Sequence, residues 1–147
     1  MKRIILLMLL TAPLFLFANN NQSATRRLKI VVSGFNSDEG LARAGIYFNK
    51  AGKKISQELP AGYNMVAEIQ NHTALFVLNQ LHQGKYAISV MHDSNNNRNL
   101  DFNWMGLSNR TTWISNNPTI LFGSPVFEEC QVSVKEGEET VVNISLK

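Results

Sequence analysis

Apolar and polar residues alternate along much of this chain. The clearest cases are residues 28–34 and 85–91. Their aligned apolar positions are Leu28, Ile30 and Val32 in the first segment and Tyr86, Ile88 and Val90 in the second. A β-strand points successive side chains to opposite faces, so this period of two indicates strands with one buried side.

The same alternation predicts the rest of the strands and the fold class. Further strands are predicted at residues 44–49, 65–70, 74–79, 126–134 and 140–146. The last two flank Lys135-Glu136-Gly137-Glu138, so we expect them to form a β-hairpin with a glycine-containing turn. With no convincing amphipathic helix, the pattern predicts an all-β fold, an Ig-like antiparallel β-sandwich of about seven strands with one long loop. A small barrel is the alternative.

The N-terminus has the composition of an export signal. Lys2 and Arg3 precede an apolar run from Ile4 to Phe17, and this run is shorter than the roughly twenty residues of a membrane-spanning helix. We therefore expect residues 1–18 to be a signal peptide, residues 19–26 a flexible leader and residues 27–147 a single β-sandwich domain. The mature protein would be periplasmic or secreted, without a membrane span. Leu16 fits the small-residue cleavage pattern poorly, so an uncleaved anchor is the alternative.

The charge balance of the chain limits which partners it can bind, and its cysteine content limits which disulfides it can form. Without Lys2 and Arg3 the chain has 12 basic and 11 acidic residues, and the basic ones are scattered. This balance argues against a nucleic-acid partner, which needs a basic track. A single cysteine, Cys130, excludes an internal disulfide. Its strand parity with Val132 and Val134 predicts a buried, unreactive thiol.

The candidate chemistry lies in one polar segment, residues 92–117. Side chains that carry oxygen recur there at alternate positions, namely Asp93, Asn95, Asn97, Asn99 and Asp101. In calcium loops of the D-x-N-x-N type, this spacing turns hard oxygen ligands toward one cation. The spacing therefore predicts a divalent cation site, with Ca²⁺ as the cofactor.

Two positions of the same loop oppose a tight calcium site. Arg98 stands where the EF-hand loop has the glycine of its sharp turn, and Trp104 stands where a bidentate glutamate closes the site. Arg98 and Arg110 also offset the two aspartates. The alternative is a loop without a cation, in which asparagine amides bond their own backbone in Asx-turns.

Other side chains of the segment suggest further roles. His92 and Asp93 would serve a metal-dependent hydrolase as base or ligand, yet neighbouring strand residues point to opposite faces. We expect His92 to hold the loop by donating to a backbone carbonyl. The aromatic residues Phe102, Trp104 and Trp113 would either stack on a partner or pin the loop to the sandwich.

The motifs of this region resemble those of a known family. They are Gly84-x-Tyr86-Ala87 running into His92-Asp93-x-Asn95-x-Asn97, then Asp101, Gly106, Ser115-Asn116-Asn117 and Pro125-x-Phe127-Glu128. This set resembles the domain-of-unknown-function 2141 family of exported bacterial proteins, and the likeness covers nearly all of the mature chain. The resemblance implies a secreted, prealbumin-like β-sandwich with no activity established for the family.

The chain departs from the family pattern inside the loop. Arg98 replaces the loop glycine, Ser108 a proline and Arg110 a glutamate, and Trp113 stands where a second glycine is common. We therefore predict an exported, non-enzymatic module with no catalytic residue. It would bind a divalent cation or an envelope partner, protein or carbohydrate, through residues 92–117. The alternatives are a metal-dependent enzyme that uses His92 and Asp93, and a purely structural accessory domain.

Overall fold

The structure is a computed structural model. It describes residues 26–48, 50, 52–55, 61–98, 112–119 and 124–145. The predicted signal peptide, residues 1–18, lies outside this part of the chain. So do the predicted loop residues Asn99, Asp101, Phe102, Trp104, Ser108 and Arg110.

Eight β-strands and one short helical turn make up the described elements. In chain order they are β1 (Arg27–Ser33), β2 (Leu41–Phe48), β3 (Tyr63–Glu68), β4 (Thr73–Leu78), β5 (Gly84–Asp93), β6 (Thr112–Ile114), α1 (Phe127–Cys130), β7 (Val132–Val134) and β8 (Glu139–Ser145). The predicted all-β class is confirmed. None of the helices among the described residues is long and apolar enough to cross a membrane.

The strands form two sheets that enclose the main core. The first sheet has the order β4-β1-β8, and the second has the order β3-β2-β5-β6. β7 joins the second sheet by pairing with the start of β5, around Lys85. The pairings are antiparallel except for β1 with β8, which run parallel. The predicted sandwich is thus confirmed, with one parallel pair that the antiparallel prediction missed.

The alternating positions supply the core between the sheets. The six aligned residues of the sequence prediction are all buried in it, namely Leu28, Ile30, Val32, Tyr86, Ile88 and Val90. A second cluster lies apart from this core and contains Tyr47 of β2, Ala87 of β5 and the α1 residues Phe127 and Cys130. Tyr47 and Ala87 are paired in register, so they share one face of the second sheet, the face away from the main core. The second sheet is therefore apolar on both faces at this end.

The predicted closing hairpin is wrong. Residues 127–130 of the expected first strand form α1, and only Val132–Val134 is extended. This short β7 pairs with β5 of the second sheet, whereas β8 pairs with β1 of the first sheet. The turn around Gly137 therefore carries the chain from one sheet to the other. Burial of Phe127 and Cys130 in the second cluster favours the helical turn over a longer strand.

The prediction for Cys130 is confirmed, although its local structure differs from the expected strand. The thiol is fully buried, at the last residue of α1. Burial and, to a smaller extent, the charge of the nearby Glu129 carboxylate raise the pKa of Cys130 to about 11. The thiol is therefore protonated at neutral pH, which is typical of an inert structural cysteine.

Candidate functional site

Asp93 ends β5 and is the most deeply buried charged residue that the structure describes. Its side chain is 0 % exposed. Oδ2 accepts hydrogen bonds from Arg43 Nε at 2.5 Å and from the Arg98 backbone N–H at 3.0 Å. Oδ1 accepts one from the Asn97 backbone N–H at 3.0 Å. Both carboxylate oxygens are thus engaged by donors of the protein itself.

The strand register explains how Arg43 reaches Asp93. Arg43 lies on β2 opposite Met91 of β5, and Leu41 lies opposite Asp93. Residues diagonal to each other across an antiparallel pair share one face, and long side chains bridge that distance. Arg43 also donates from Nη2 to Asn96 Oδ1 at 2.6 Å. One guanidinium therefore holds both the end of β5 and the loop that follows it.

The loop after β5 winds around the Asp93 carboxylate. Asn96 and Arg98 have φ values of +56° and +66°, in the left-handed region. Asn95 Oδ1 accepts from the Asn97 N–H at 3.1 Å, which is the Asx-turn predicted as the alternative to a cation. This geometry turns the backbone N–H groups of Asn97 and Arg98 toward the Asp93 carboxylate.

A glycine closes the other side of this loop. Gly40 has a φ of +75°, and a Cβ atom there would lie 2.2 Å from the backbone oxygen of Asp93. Another residue at this position would have to displace the chain at Ser94. The close approach fixes where the loop leaves the sheet.

The surroundings of Asp93 lower its pKa. Burial by itself would raise the pKa of this carboxyl, but the Arg43 hydrogen bond outweighs it, together with the backbone donors Arg98 and Asn97 and the Arg43 charge. The net direction is downward from the usual 3.8. Asp93 is therefore ionised at neutral pH and is a poor general base.

The structure describes three of the five predicted calcium ligands. Asp93 is buried, whereas Asn95 and Asn97 are exposed. The Oδ1 atoms of Asp93 and Asn95 do converge, but they converge on the backbone N–H of Asn97. Among the described residues, no group of three or more His, Cys, Asp or Glu side chains has the arrangement of a metal site. Asn99 and Asp101 lie outside the described residues.

His92 has the position that was predicted for it. Its Nε2 lies 2.8 Å from the backbone oxygen of Glu39, and because a carbonyl only accepts, Nε2 donates. Its ring meets Phe35 edge-on at a centroid distance of 5.3 Å, and Phe35 meets Trp113 in the same way at 6.0 Å. Trp113 in turn packs against the main core. His92 and Trp113 thus fasten the segment to the sandwich, and the structure does not join His92 to Asp93.

The Ser115-Asn116 motif holds α1 and the residue after it, Gln131, against the outer face of the second sheet. Buried Ser115 Oγ donates to the Cys130 carbonyl at 2.5 Å and accepts from the Ile88 N–H at 3.0 Å. Asn116 Nδ2 donates to the Gln131 carbonyl at 2.9 Å. The motif therefore ties α1 to β5 through direct hydrogen bonds.

The Pro125-x-Phe127-Glu128 motif connects the same α1 region to residues 52–55. Phe127 fills the second cluster, and Glu128 Oε1 accepts from the Gly52 N–H at 2.8 Å. The Ile55 N–H donates to the Pro125 carbonyl at 2.8 Å. These motif residues therefore act as structural ties among the described segments.

Sequence reasoning missed two of the residues that matter most here, Arg43 and Ser115. Arg43 carries a weak signal, because its parity on β2 places it on the same face as Gly45 and Tyr47, beyond the main core. Ser115 has no sequence signal beyond its place in the motif, since a serine after a short strand is an ordinary turn residue.

Comparison with known proteins identifies a family. A family model described as an uncharacterized protein conserved in bacteria (DUF2141) matches residues 30–142. No curated protein and no solved structure matches the chain. The matched range begins within β1 and ends within β8, with Asp93, Ser115 and α1 inside it. The chain therefore belongs to the DUF2141 family of bacterial proteins.

Proposed function

We propose that this chain is an exported, non-enzymatic binding module. Its β-sandwich would present the loop after β5 to a protein or carbohydrate partner at the cell envelope. The observation that carries the proposal is the engagement of both Asp93 carboxylate oxygens by Arg43 and by the loop backbone. Among the described residues of the motif region, the buried carboxylate of Asp93 is used to shape a loop, and a shaped loop on a rigid scaffold is a common form of binding site.

The contacts of His92 and Asp93 argue against the hydrolase alternative. A general base needs an unoccupied lone pair within reach of its substrate. Asp93 accepts from three donors, and its low pKa weakens it further as a base. His92 donates through Nε2 to the Glu39 carbonyl. Asp93 is therefore poorly placed to act as a base, and among the described contacts no hydrogen bond joins it to His92 as a proton-transfer pair.

The described part of the loop offers polar recognition groups. Asn96 is exposed, and its side-chain amide carries N–H donors beside the oxygen that accepts from Arg43. Such groups match the hydroxyls of a carbohydrate or the backbone of a protein. The apolar run at residues 4–17 supports export, which would bring the module to the envelope.

A binding experiment with matched aromatic variants tests this proposal. We expect the purified protein to cosediment with the insoluble envelope fraction of its own bacterium, and Trp104→Ala to weaken that binding by about tenfold, because aromatic anchors carry much of the energy of a binding surface. Tyr63→Ala is the control. Tyr63 is an exposed aromatic residue at the start of β3, and its register opposite Ile46 places it far along the sheet from Asp93. Equal binding of wild type and Trp104→Ala would contradict the proposal.

A second experiment separates a self-supporting loop from a calcium site. We expect the melting temperature to be the same in ten millimolar calcium and in chelator, because protein donors already engage both Asp93 oxygens. A site with a dissociation constant of roughly one millimolar would instead add about 1.4 kcal/mol of stability, a shift of a few degrees. Arg98→Gly makes the test more sensitive, since it restores the family glycine at a left-handed position and removes a repelling charge. A calcium-dependent rise that Asp101→Asn abolishes would establish the cation site.

A further inference from the structure

β4 is an edge strand with an open hydrogen-bonding side. Within the part of the chain that the structure describes, it pairs only with β1. Thr73 exchanges backbone hydrogen bonds with Gln70, at 2.8 and 3.0 Å, on the side away from β1. Because the backbone groups of an antiparallel strand alternate in direction, Leu75 and Val77 point their N–H and C=O groups to that same open side.

This edge lacks the usual protection against pairing with another strand. Soluble proteins guard exposed edges with charged residues, prolines, bulges or very short strands. β4 spans six residues, Thr73–Leu78, with neither a charge nor a proline among them. Of the other edge strands described, β3 contains Glu68 and β8 contains Glu139, while β6 and β7 are only three residues long each. The β4 edge is therefore the open one.

The side chains beside this edge are apolar and exposed. Leu75 is 50 % exposed and Val77 is 39 % exposed, both on the face of the first sheet that points away from the core. An open cleft of about 560 Å³ lies along the same edge, between β3 and β4, and is lined by Thr73 and Leu75 on the β4 side. The described residues thus leave the space next to the edge open to an incoming strand.

We propose that the β4 edge pairs with β4 of a second copy of this chain. A two-fold axis at Phe76 would place Leu75 opposite Val77 of the other copy, in both directions, and each of these pairs would exchange both backbone hydrogen bonds. The two first sheets would join into one continuous sheet. Because the contact is isologous, it closes on itself and consumes both open edges.

The distribution of charge favours a second copy as the occupant. Two β4 strands face each other without any like charges in contact, since neither contains a charged residue. The nearest charged residue on this face is Lys29 of β1, in register with Val77. The two Lys29 side chains would be separated by both β4 strands, at roughly 14 Å given the spacing of about 4.8 Å between strands, which exceeds the screening length at physiological salt. The outward residues that meet, Leu75 and Val77, are apolar in both copies.

Sedimentation equilibrium over a concentration series tests the proposal with a matched pair of variants. We expect the purified protein to show a concentration-dependent monomer–dimer equilibrium. Leu75→Lys should weaken association by about tenfold or more, because it puts two like charges on adjacent strands at the contact. Val141→Lys is the control, since Val141 is equally exposed at 50 % but lies on β8 at the opposite edge of the same sheet. It should leave association unchanged.

Two results would overturn the proposal. One is that the wild-type protein stays monomeric up to a concentration of about one millimolar. A dissociation constant above that value would be too weak for a specific dimer. The other is an equal loss of association in both lysine variants, which would indicate a different interface. The melting temperatures of the two variants are measured alongside, so that unfolding is not mistaken for loss of the dimer.

A cysteine pair tests the register itself. Chains carrying Leu75→Cys are mixed with chains carrying Val77→Cys under mild oxidation. Residues of a hydrogen-bonded antiparallel pair have Cα atoms about 5.5 Å apart, within the range of a disulfide. The native Cys130 is buried and does not compete. We expect a disulfide between the two kinds of chain, and none when Leu75→Cys is mixed with Val141→Cys. Equal cross-linking in both mixtures, or none in either, would contradict the pairing at Phe76.

Discussion

Replacing Asp93 with alanine is expected to lower the free energy of unfolding by about 3 to 5 kcal/mol, the usual cost of breaking a buried ion pair on one side. The substitution leaves the guanidinium of Arg43, whose side chain is only 20 % exposed, without its carboxylate. It also removes the acceptor of the Asn97 and Arg98 backbone N–H groups. Urea unfolding of wild type and variant at neutral pH measures the difference.

Asp38 provides a control of the same residue type. Its carboxylate also accepts two backbone N–H groups, from Asn71 at 2.9 Å and His72 at 2.7 Å. Its side chain is 47 % exposed, however, and it has no arginine partner among the described ion pairs. We expect Asp38→Ala to cost about 1 kcal/mol, the value of a solvent-accessible capping interaction. Similar losses in both variants would show that the Arg43 pair contributes little.

The lowered pKa of Asp93 adds a test in acid. A carboxyl with a folded-state pKa below its unfolded value of 3.8 leaves the unfolded chain with more bound protons in acid. Its contribution is therefore fully present well above pH 3.8 and is lost as the pH falls through the folded-state pKa. The difference in unfolding free energy between wild type and Asp93→Asn should shrink from neutral pH toward pH 2. A difference that stays constant over this range would mean that folding leaves the Asp93 pKa unchanged, and one that grows toward pH 2 would mean that folding raises it.

The strands were the most predictable part of the fold, because their signal is local. The burial of Leu28, Ile30 and Val32 follows from the alternation of side chains along one strand. The partners of a strand are not local information. Residues 132–134 and 139–145 are close in sequence and joined by a glycine turn, yet their partners Tyr86 and Ile30 belong to different sheets. Turn residues permit a hairpin, but they do not require one.

The candidate site shows the same division between local and distant information. The Asx-turn at Asn95 was predictable, since it joins residues two positions apart. The donor that occupies Asp93 was not, because Arg43 is 50 residues away and reaches it through the register of β2 with β5. The alternate spacing of oxygen side chains predicts convergence correctly in the described part of the loop. It does not say whether a cation or a backbone N–H lies at the point of convergence.

Ser115 shows how much one motif residue can contribute to this fold. Its hydroxyl is fully buried, where it donates to the Cys130 carbonyl and accepts from the Ile88 N–H. Ser115→Ala removes both bonds while leaving both backbone groups in place. Each of the two buried groups left without a partner costs about 1 to 3 kcal/mol, so we expect a total loss of about 2 to 6 kcal/mol in the free energy of unfolding. Ser133→Ala, at an exposed position of β7, should stay within about 0.5 kcal/mol of wild type.

The reactivity of Cys130 shows which part of the structure Ser115→Ala loosens. In the wild-type protein the thiol is buried and its pKa is raised to about 11, so a thiol reagent should label it slowly at pH 8. Ser115→Ala loosens the hydrogen bond that holds the end of α1 against β5, so labelling should be faster under native conditions. In Ser133→Ala the labelling rate should match that of wild type. If Ser115→Ala destabilises the protein but leaves the Cys130 rate unchanged, the hydroxyl does not hold α1 in place, and its contribution lies at Ile88 of β5.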